Sequence, residues 1–213
     1  IRARADSVVY REQGDSLLTG NVRLVEGGRR IHTELAILDR DANRVSIPNG
    51  ATFFEPGMVI EAARGEMTLS EDRAVMEGAE FVLFEPEIRG HADRIERIGN
   101  KLVLEGTSLT RCQPGGGAWA FRAKTLEMDE NAVFAVAHKA KIDMFGVPVI
   151  AVPRFRFPLR DARVSGFLFP TVGYGSDDGV DIGLPYYLNL APNYDATLTP
   201  RLMTERGVEA AME

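Results

Sequence analysis

The sequence predicts an all-β protein, and three features lead to that fold class. Apolar and polar residues alternate with a period of two in many short runs, as they do in half-buried strands. The 213 residues include 21 glycines and 11 prolines, too many for long helices. Four glycines recur about 28 to 30 residues apart, which indicates a repeated supersecondary unit; they are Gly20, Gly50, Gly78 and Gly106.

Composition and charge exclude several classes of protein. Hydrophobic residues make up 45% and charged residues 26% of the chain, which is typical of a folded protein rather than a disordered tail. The net charge of −6 and the lack of a basic block argue against a nucleic-acid partner. No apolar run approaches the roughly 18 residues of a membrane helix. Membrane β-strands show only alternation, so this observation does not exclude them.

The glycine repeat predicts the organisation of the first 147 residues. Each glycine follows one strand-like run and precedes another, so we expect a unit of strand, glycine-bearing turn and strand. Within such a unit, the alternation predicts that Ile31, Leu35 and Ile37 share one face. This part of the chain is expected to form a sandwich, a jelly roll or a β-solenoid.

The pattern changes near Pro148. Residues 148–163 are a connector rich in proline and arginine, and residues 179–203 form the clearest amphipathic pattern of the chain. Apolar residues occupy every second position in each arm, and Ala191-Pro192-Asn193 predicts the turn between the arms. Arms of this length suit either an outer-membrane hairpin or a soluble amphipathic hairpin. Pro185 and Pro200 weaken the ladder, as expected of an edge or of a seam that opens.

Catalytic and metal sites are not predicted. The three histidines are far apart in the sequence, and His91 with Asp93 suggests a surface hydrogen bond more than a ligand pair. Asp177-Asp178-Gly179 predicts a turn more than a calcium site. The other two histidines, His32 and His138, lie far from His91 in the sequence. We therefore expect no enzyme activity, no cofactor and no metal.

Two further motifs also lack the residues that catalysis would need. Gly115-Gly116-Gly117 has neither the lysine nor the hydroxyl residue of a phosphate loop, so a plain loop is expected. Cys112 is the single cysteine of the chain and has no neighbouring base that would make it a nucleophile. A disulfide within this chain is excluded by the count.

Two runs of the sequence resemble a known family. They are SGFLFP at residues 165–170 and LPYYLNLAPNYDATLTPR at residues 184–201. Both are similar to the lipopolysaccharide-assembly outer-membrane proteins, formerly described as the organic-solvent-tolerance family. The glycine repeat resembles the periplasmic jelly roll of that family, which soluble periplasmic bridge proteins of Gram-negative bacteria share.

The resemblance implies a two-part protein. Residues 1–147 would be a periplasmic β-jelly roll truncated at its N-terminus, residues 148–163 a connector, and residues 164–213 the start of an outer-membrane β-barrel. The function implied is transport of lipopolysaccharide into the outer leaflet, with acyl chains passing through the jelly-roll interior. The partners implied are lipopolysaccharide, a plug lipoprotein inside the barrel, and a periplasmic jelly-roll bridge protein at the N-terminal edge.

Site residues follow partly from the resemblance and partly from the alternation. Pro185 and Pro200 match the prolines of a lateral gate, and Cys112 matches a cysteine bonded to a barrel cysteine beyond this chain. The alternation supplies the candidates for a lipid lining, each of which would equally serve as plain core. These candidates are Val22, Leu24, Ile31, Leu35, Ile37, Phe53, Ile60, Leu69, Phe81, Leu83, Ile88, Phe121, Met128 and Phe134.

Two alternatives remain open from the residues alone. A soluble bridge-type jelly roll that binds lipopolysaccharide would explain residues 1 to about 145 equally well. A β-solenoid enzyme acting on polysaccharide would explain the repeat and the many carboxylates, although not the hairpin. The chain begins at Ile1 and stops at Glu213 within a strand-like stretch, so we expect a fragment of a longer protein.

Overall fold

The computed structural model describes residues 2–10, 14–26, 28–85, 87–113, 119–129, 131–132, 134–158, 165–168 and 171–213. Among these residues it contains strands and one 3₁₀ turn (Leu69–Glu71), without an α-helix, so the predicted all-β class is confirmed. The chain divides into two compact units. The first unit comprises Ile1–Glu130 with Ala137–Pro153, and the second comprises Asn131–Val136 with Arg154–Glu213.

Thirteen of the described strands form one sheet. They are β1 (Arg2–Arg4), β2 (Ser7–Val9), β3 (Ser16–Glu26), β4 (Arg29–Asp39), β5 (Arg44–Ile47), β6 (Ala51–Glu55), β7 (Met58–Thr68), β8 (Arg73–Leu83), β9 (Ile88–Ile98), β10 (Lys101–Thr110), β11 (Trp119–Asp129), β12 (Phe134–Met144) and β13 (Val147–Pro158). From β7 to β13 each strand lies beside its neighbour in sequence. The pairings β3–β4, β7–β8, β8–β9, β9–β10 and β10–β11 are antiparallel. This contradicts the β-solenoid alternative, because the coils of a β-helix stack parallel strands.

Three of the four repeated glycines do not lie in turns between strands. Gly20, Gly78 and Gly106 lie inside the long strands β3, β8 and β10, and Gly50 lies at the break between β5 and β6. All four have positive φ, between 57° and 86°, a conformation that glycine adopts without a steric penalty. The predicted strand–turn–strand unit is therefore wrong in its placement of Gly20, Gly78 and Gly106. The turns lie elsewhere, for example at residues 40–43, 56–57 and 99–100.

Beside the repeated glycines of β8 and β10, and at the matching position of β7, the buried face of the strand changes parity. In β3 the buried residues Ser16, Leu18, Val22 and Leu24 keep one parity across Gly20. In β8, Met76 and Ala79 are buried, while Glu77 and Gly78 between them are both exposed. The same sequence of one buried, two exposed and one buried residue occurs in β7 and β10. We call the row of paired outward residues the fold line. It comprises residues 34–35, 63–64, 77–78, 93–94 and 105–106, and the break at 49–50 lies beside it.

The sheet doubles over along the fold line. Phe53 pairs with Ile60, and Gly65 lies five residues further along β7, about 16 Å away in a straight strand. Nevertheless, the Phe53 ring comes within 2.9 Å of the place where a Cβ of Gly65 would be. Strand β7 must therefore bend sharply between Ile60 and Gly65.

On one side of the fold line the inner face of this bend carries small side chains. Ala62 pairs with Ala79, Ala79 pairs with Ala92, and all three are buried. Thr107 and Ala123 continue the row on β10 and β11, and the Thr107 hydroxyl donates a 3.0 Å hydrogen bond to the His91 carbonyl. On the other side of the fold line the buried residues are larger, namely Met76, Ile95, Leu104 and Leu126.

The parity change corrects one expectation about β4. Ile31 and Thr33 are buried, but beyond residue 34 the buried residue is Ala36, not Leu35 or Ile37. Leu35 and Ile37 are half-buried on the opposite face, so the expectation that they share a face with Ile31 is wrong. A strict period of two cannot continue through two successive outward residues.

The second unit contains six described strands in a second sheet. They are β14 (Gly166–Phe167), β15 (Thr171–Gly175), β16 (Gly179–Gly183), β17 (Tyr186–Ala191), β18 (Tyr194–Met203) and β19 (Gly207–Met212). Strands β17 and β18 form the predicted hairpin, with Pro192 and Asn193 in its turn. The first arm is not continuous, because Leu184 and Pro185 separate β16 from β17. No helix of the described residues has the length and apolar character needed to cross a membrane.

An ion-pair cluster stabilises the outer face of the first sheet. Glu96 on β9 accepts hydrogen bonds from Arg94 Nη2 at 3.0 Å and from Arg73 Nε at 2.7 Å. These two hydrogen bonds, that from Arg94 first, lower the pKa of Glu96 below its ordinary value. A lowered pKa means that the folded state binds the proton less tightly than the unfolded state does.

Glu96→Gln is expected to remove a pH-dependent part of the stability. The contribution of Glu96 is complete above the ordinary glutamate pKa of about 4.3 and is lost as the pH falls through its lower folded-state pKa. We expect the unfolding free energy of wild type to exceed that of the variant by about 0.5–1 kcal/mol near neutral pH. This difference should shrink in acid. Urea unfolding followed by the fluorescence of Trp119, the single tryptophan, measures it. Glu61→Gln, at an exposed site, is the control; a gap that widens in acid contradicts the assignment.

Candidate functional site

The folded sheet of the first unit encloses an apolar cleft. One wall comes from Leu24, Ile31 and Phe53, on the side of the fold line that holds the turn at residues 56–57. The other wall comes from Met67, Ala74 and Met76, on the opposite side of the fold line. The free volume between the walls is about 70 Å³, so the two arms of the sheet are nearly in contact.

The rim of the cleft is charged. Arg29 Nε lies 3.9 Å from Glu55 Oε2, and Arg97 Nη2 donates a 3.3 Å hydrogen bond to Asp72 Oδ1. Arg73 lines the same rim, and Arg97 Nε is buried without a hydrogen-bond acceptor among the described residues. An apolar interior beneath arginines suits a molecule with an apolar body and an anionic head.

The predicted lining residues divide into two main groups by burial. The buried ones are Val22, Leu24, Ile31, Phe53, Ile60, Phe81 and Ile88. The half-buried ones are Leu35, Ile37, Leu83, Phe121, Met128 and Phe134. The side chain of Leu69 lies outside the described residues. That any of these side chains touches lipid stays a prediction.

The structure brings three of the predicted residues into the cleft and adds others. Leu24, Ile31 and Phe53 line it directly, opposite Met76 and Ala74, which were not among the predicted lining residues. The missed signal was the change of parity beside Gly78. Once two outward residues are placed at 77 and 78, the alternation itself puts 74 and 76 on the same face as 79 and 81.

Pro185 and Pro200 are close neighbours across two strands. Leu184 N donates a 3.0 Å hydrogen bond to the Pro200 carbonyl, and Leu168 N donates a 2.9 Å bond to the Pro185 carbonyl. Proline has no N–H, so neither residue can donate a bond back into the ladder. The prolines therefore remove two donors from one short stretch of the sheet, although their role in a gate stays a prediction.

The second sheet has two chemically distinct faces. Arg201 forms an ion pair with Asp181 and lies 3.9 Å from Glu209, and the Tyr187 hydroxyl donates a 2.7 Å hydrogen bond to Asp195. At alternate positions, side chains such as Leu198, Leu202 and Val208 are exposed. One face of the second sheet is therefore polar, and the other carries exposed apolar side chains.

Cys112 lies just beyond the end of β10. Its N–H donates a 3.1 Å hydrogen bond to Thr110 Oγ1, and its Sγ lies 3.9 Å from the Trp119 carbonyl oxygen. The residue is half-buried. A disulfide to a cysteine outside this chain stays a prediction.

The alternative chemistries find no assembled site in the described part of the chain. His91 Nε2 lies 3.4 Å from Asp93 Oδ1 at an exposed position, and these residues contain no group of three His, Cys, Asp or Glu side chains that could hold a metal. Asp178 pairs with Arg206 Nε at 3.0 Å. Gly115-Gly116-Gly117 lies outside the described residues.

Comparison with known proteins finds one family and several relatives to which this chain is similar. The family described as "LptA/(LptD N-terminal domain) LPS transport protein" matches residues 2–134. LPS-assembly protein LptD of Saccharophagus degradans is 35% identical over 210 residues, 98% of this chain and 24% of that protein. LptD of Acinetobacter baumannii is 33% identical over 205 residues, 95% of this chain and 25% of that protein.

A solved structure gives only a weak likeness. LptH of Pseudomonas aeruginosa, titled as the LptA-homologous periplasmic component of a lipopolysaccharide transport device, shares 15% identity with a TM-score of 0.27. That match covers 67% of this chain and 92% of LptH. The chain spans about a quarter of the length of the curated relatives it matches. The family model matches residues 2–134, and the similarity to LptD extends over 98% of this chain. The chain therefore belongs to the family of LptD N-terminal and LptA-type lipopolysaccharide transport proteins.

Proposed function

We propose that this chain carries lipopolysaccharide acyl chains through the cleft of its first unit toward an outer-membrane barrel that its second unit begins. The observation that supports this most directly is the cleft itself, which is apolar inside and lined with arginines at its rim. The cleft serves binding and passage, so no catalytic step is needed. The protein would act as a transporter and not as an enzyme.

Passage of lipid through the cleft requires the two arms to separate. A free volume of about 70 Å³ does not accommodate an acyl chain alongside the present side chains. Each CH₂ group buried from water is favourable by about 0.8 kcal/mol, so an entering chain can replace the contacts between the arms.

The exposed edge of the first sheet suits a bridge partner. Strands β1 and β2 both pair with β3, and Val8 and Val9 on β2 are exposed. An edge strand offers unpaired N–H and C=O groups to another chain. We place a periplasmic jelly-roll protein there, which would deliver lipid into the cleft.

The second unit supplies the proposed exit. The two prolines at the β16–β17 break and in β18 weaken one seam of the sheet, where lipid would leave laterally. The exposed apolar side chains of β18 and β19 would face the outer membrane, and the polar face would meet a plug lipoprotein within the barrel. Cys112 would join the periplasmic part to that barrel by a disulfide.

Photo-crosslinking in cells tests lipid contact with the cleft. A photoreactive residue is placed at successive positions of β8 from 74 to 82 in the full-length parent protein. We expect lipopolysaccharide adducts at 76, 79 and 81 and none at 75, 80 and 82, because the buried parity changes beside Gly78. The outward positions are the matched controls. Adducts at none of these positions, in protein folded and located in the outer membrane, would mean that the interior is only a core.

A further inference from the structure

The lysines of this protein are confined almost entirely to one place. The chain has only four lysines among its 25 basic residues: Lys101, Lys124, Lys139 and Lys141. Three of them line one open groove on β11 and β12, together with Arg122. All four cations of the groove are exposed, in a chain whose net charge is −6. We call Arg122, Lys124, Lys139 and Lys141 the lysine face.

The ion pairs around the lysine face show how its strands align. Arg122 Nε lies 3.0 Å from Asp143 Oδ2, and His138 Nε2 lies 3.4 Å from Glu127 Oε1. In an antiparallel pair these two contacts bring Lys124 and Lys141 close together on neighbouring strands. Like charges in cross-strand positions destabilise a sheet.

Two carboxylates of the described residues pair at the ends of this face, and neither pairs with a lysine. Asp143 is buried and pairs with Arg122, while Glu127 pairs with His138 at the other end of the face. Elsewhere on the outer surface of the first sheet, arginines pair with carboxylates on neighbouring strands, as Arg64 does with Glu77 and Arg44 does with Glu66. The lysine face therefore presents net positive charge to an external ligand.

An exposed apolar turn adjoins the same face. Phe145 is 66% exposed and Val147 is 61% exposed, and Val149 continues the apolar group along β13. Gly146 and Pro148, from the same turn, line the groove with the lysines. Exposed apolar side chains beside flexible, hydrated ammonium groups are typical of proteins that lie on a lipid bilayer.

We propose that the lysine face and the Phe145 turn form a docking site for the surface of an anionic phospholipid bilayer. The ammonium groups would contact lipid phosphates, and Phe145 would enter the boundary between headgroups and acyl chains. Three separate lysines suit many mobile phosphates, whereas one bound carboxylate or phosphate would favour bidentate arginine. The exposed phenyl and valine side chains favour a bilayer over a nucleic acid.

Flotation of the chain with lipid vesicles tests this inference. The vesicles consist of phosphatidylethanolamine alone or with a quarter of phosphatidylglycerol, and they contain no lipopolysaccharide, so the outcome does not depend on the proposed transport. We expect K124Q/K139Q/K141Q to bind the anionic vesicles about 100-fold more weakly than wild type. At an ionic strength of about 1 M the Debye length is about 3 Å, so wild type and this variant should then bind the anionic vesicles equally.

Two matched variants distinguish local charge from total charge and from folding. K124R/K139R/K141R keeps the charge and is expected to bind like wild type. R2Q/R4Q/K101Q removes three exposed cations elsewhere and is also expected to bind like wild type. Trp119 fluorescence checks that each variant is folded. Equal binding to both kinds of vesicle, or no loss in the triple glutamine variant, would overturn the inference.

Discussion

Phe81→Lys is expected to lower the unfolding free energy by at least about 3 kcal/mol, whereas Val82→Lys at the next position should change it by less than about 0.5 kcal/mol. Phe81 is 4% exposed and Val82 is 37% exposed, although they are adjacent on β8. The lysine at position 81 would be a charge buried without a partner. The lysine at position 82 would extend into solvent.

A second pair of lysine substitutions, on the other side of Gly78, tests the change of parity. Met76→Lys should cost at least about 3 kcal/mol, because Met76 is 2% exposed, and Val75→Lys should cost less than about 1 kcal/mol. Urea unfolding followed by Trp119 fluorescence measures all four variants. Sensitivity at 76 and 81 with tolerance at 75 and 82 is the expected pattern. Sensitivity confined to odd positions throughout β8 would contradict the fold line.

Gly90→Ala is expected to destabilise the first unit by about 1–3 kcal/mol through overpacking alone. A Cβ at Gly90 would overlap the Phe81 ring and lie 2.9 Å from Leu109 Cδ2, and the φ of Gly90 is not positive, so backbone strain plays no part. Gly28→Ala is the matched control, since its Cβ would meet only Pro56 Cγ at an ordinary 3.6 Å. We expect the control to change the unfolding free energy by less than about 0.5 kcal/mol.

A double-mutant cycle identifies the cause of that loss. Phe81→Leu removes the ring atoms that occupy the space beside Gly90, so Gly90→Ala should cost less in the Phe81→Leu background than in wild type. A coupling of about 0.5–3 kcal/mol is expected for residues in contact. Additive effects of the two substitutions would show that the ring of Phe81 does not lie over Gly90.

Several features of the protein followed from local pattern. Dense glycine and proline with period-two alternation exclude long helices whatever the tertiary contacts are, so the all-β class was accessible from the sequence. The hairpin around Pro192 and Asn193 was accessible for the same reason, because turn chemistry and alternation are both short-range. Val22 and Ile60 were also predicted to be apolar and inward-facing, and both are buried.

The placement of the repeated glycines was not accessible from sequence. A glycine between two strand-like runs is compatible with a turn or with a left-handed residue inside one long strand, and local preference is the same for both. The choice depends on pairing with strands that lie far away in the sequence. The parity of Leu35, Ile37 and Met76 depends on that choice, so half of the cleft could not be assigned in advance.

Local pattern in the sequence therefore specified the all-β class, the hairpin around Pro192 and Asn193, and the side-chain chemistry available on the strands. Only the tertiary structure decided where each strand bends, which residues face the interior beyond the bend, and that Leu24 and Met76 line one cleft. It also brought three lysines of β11 and β12 to one face beside Phe145. The physical reason is that alternation specifies a face only relative to neighbouring residues, whereas the inside of a folded sheet is set by contacts between distant strands.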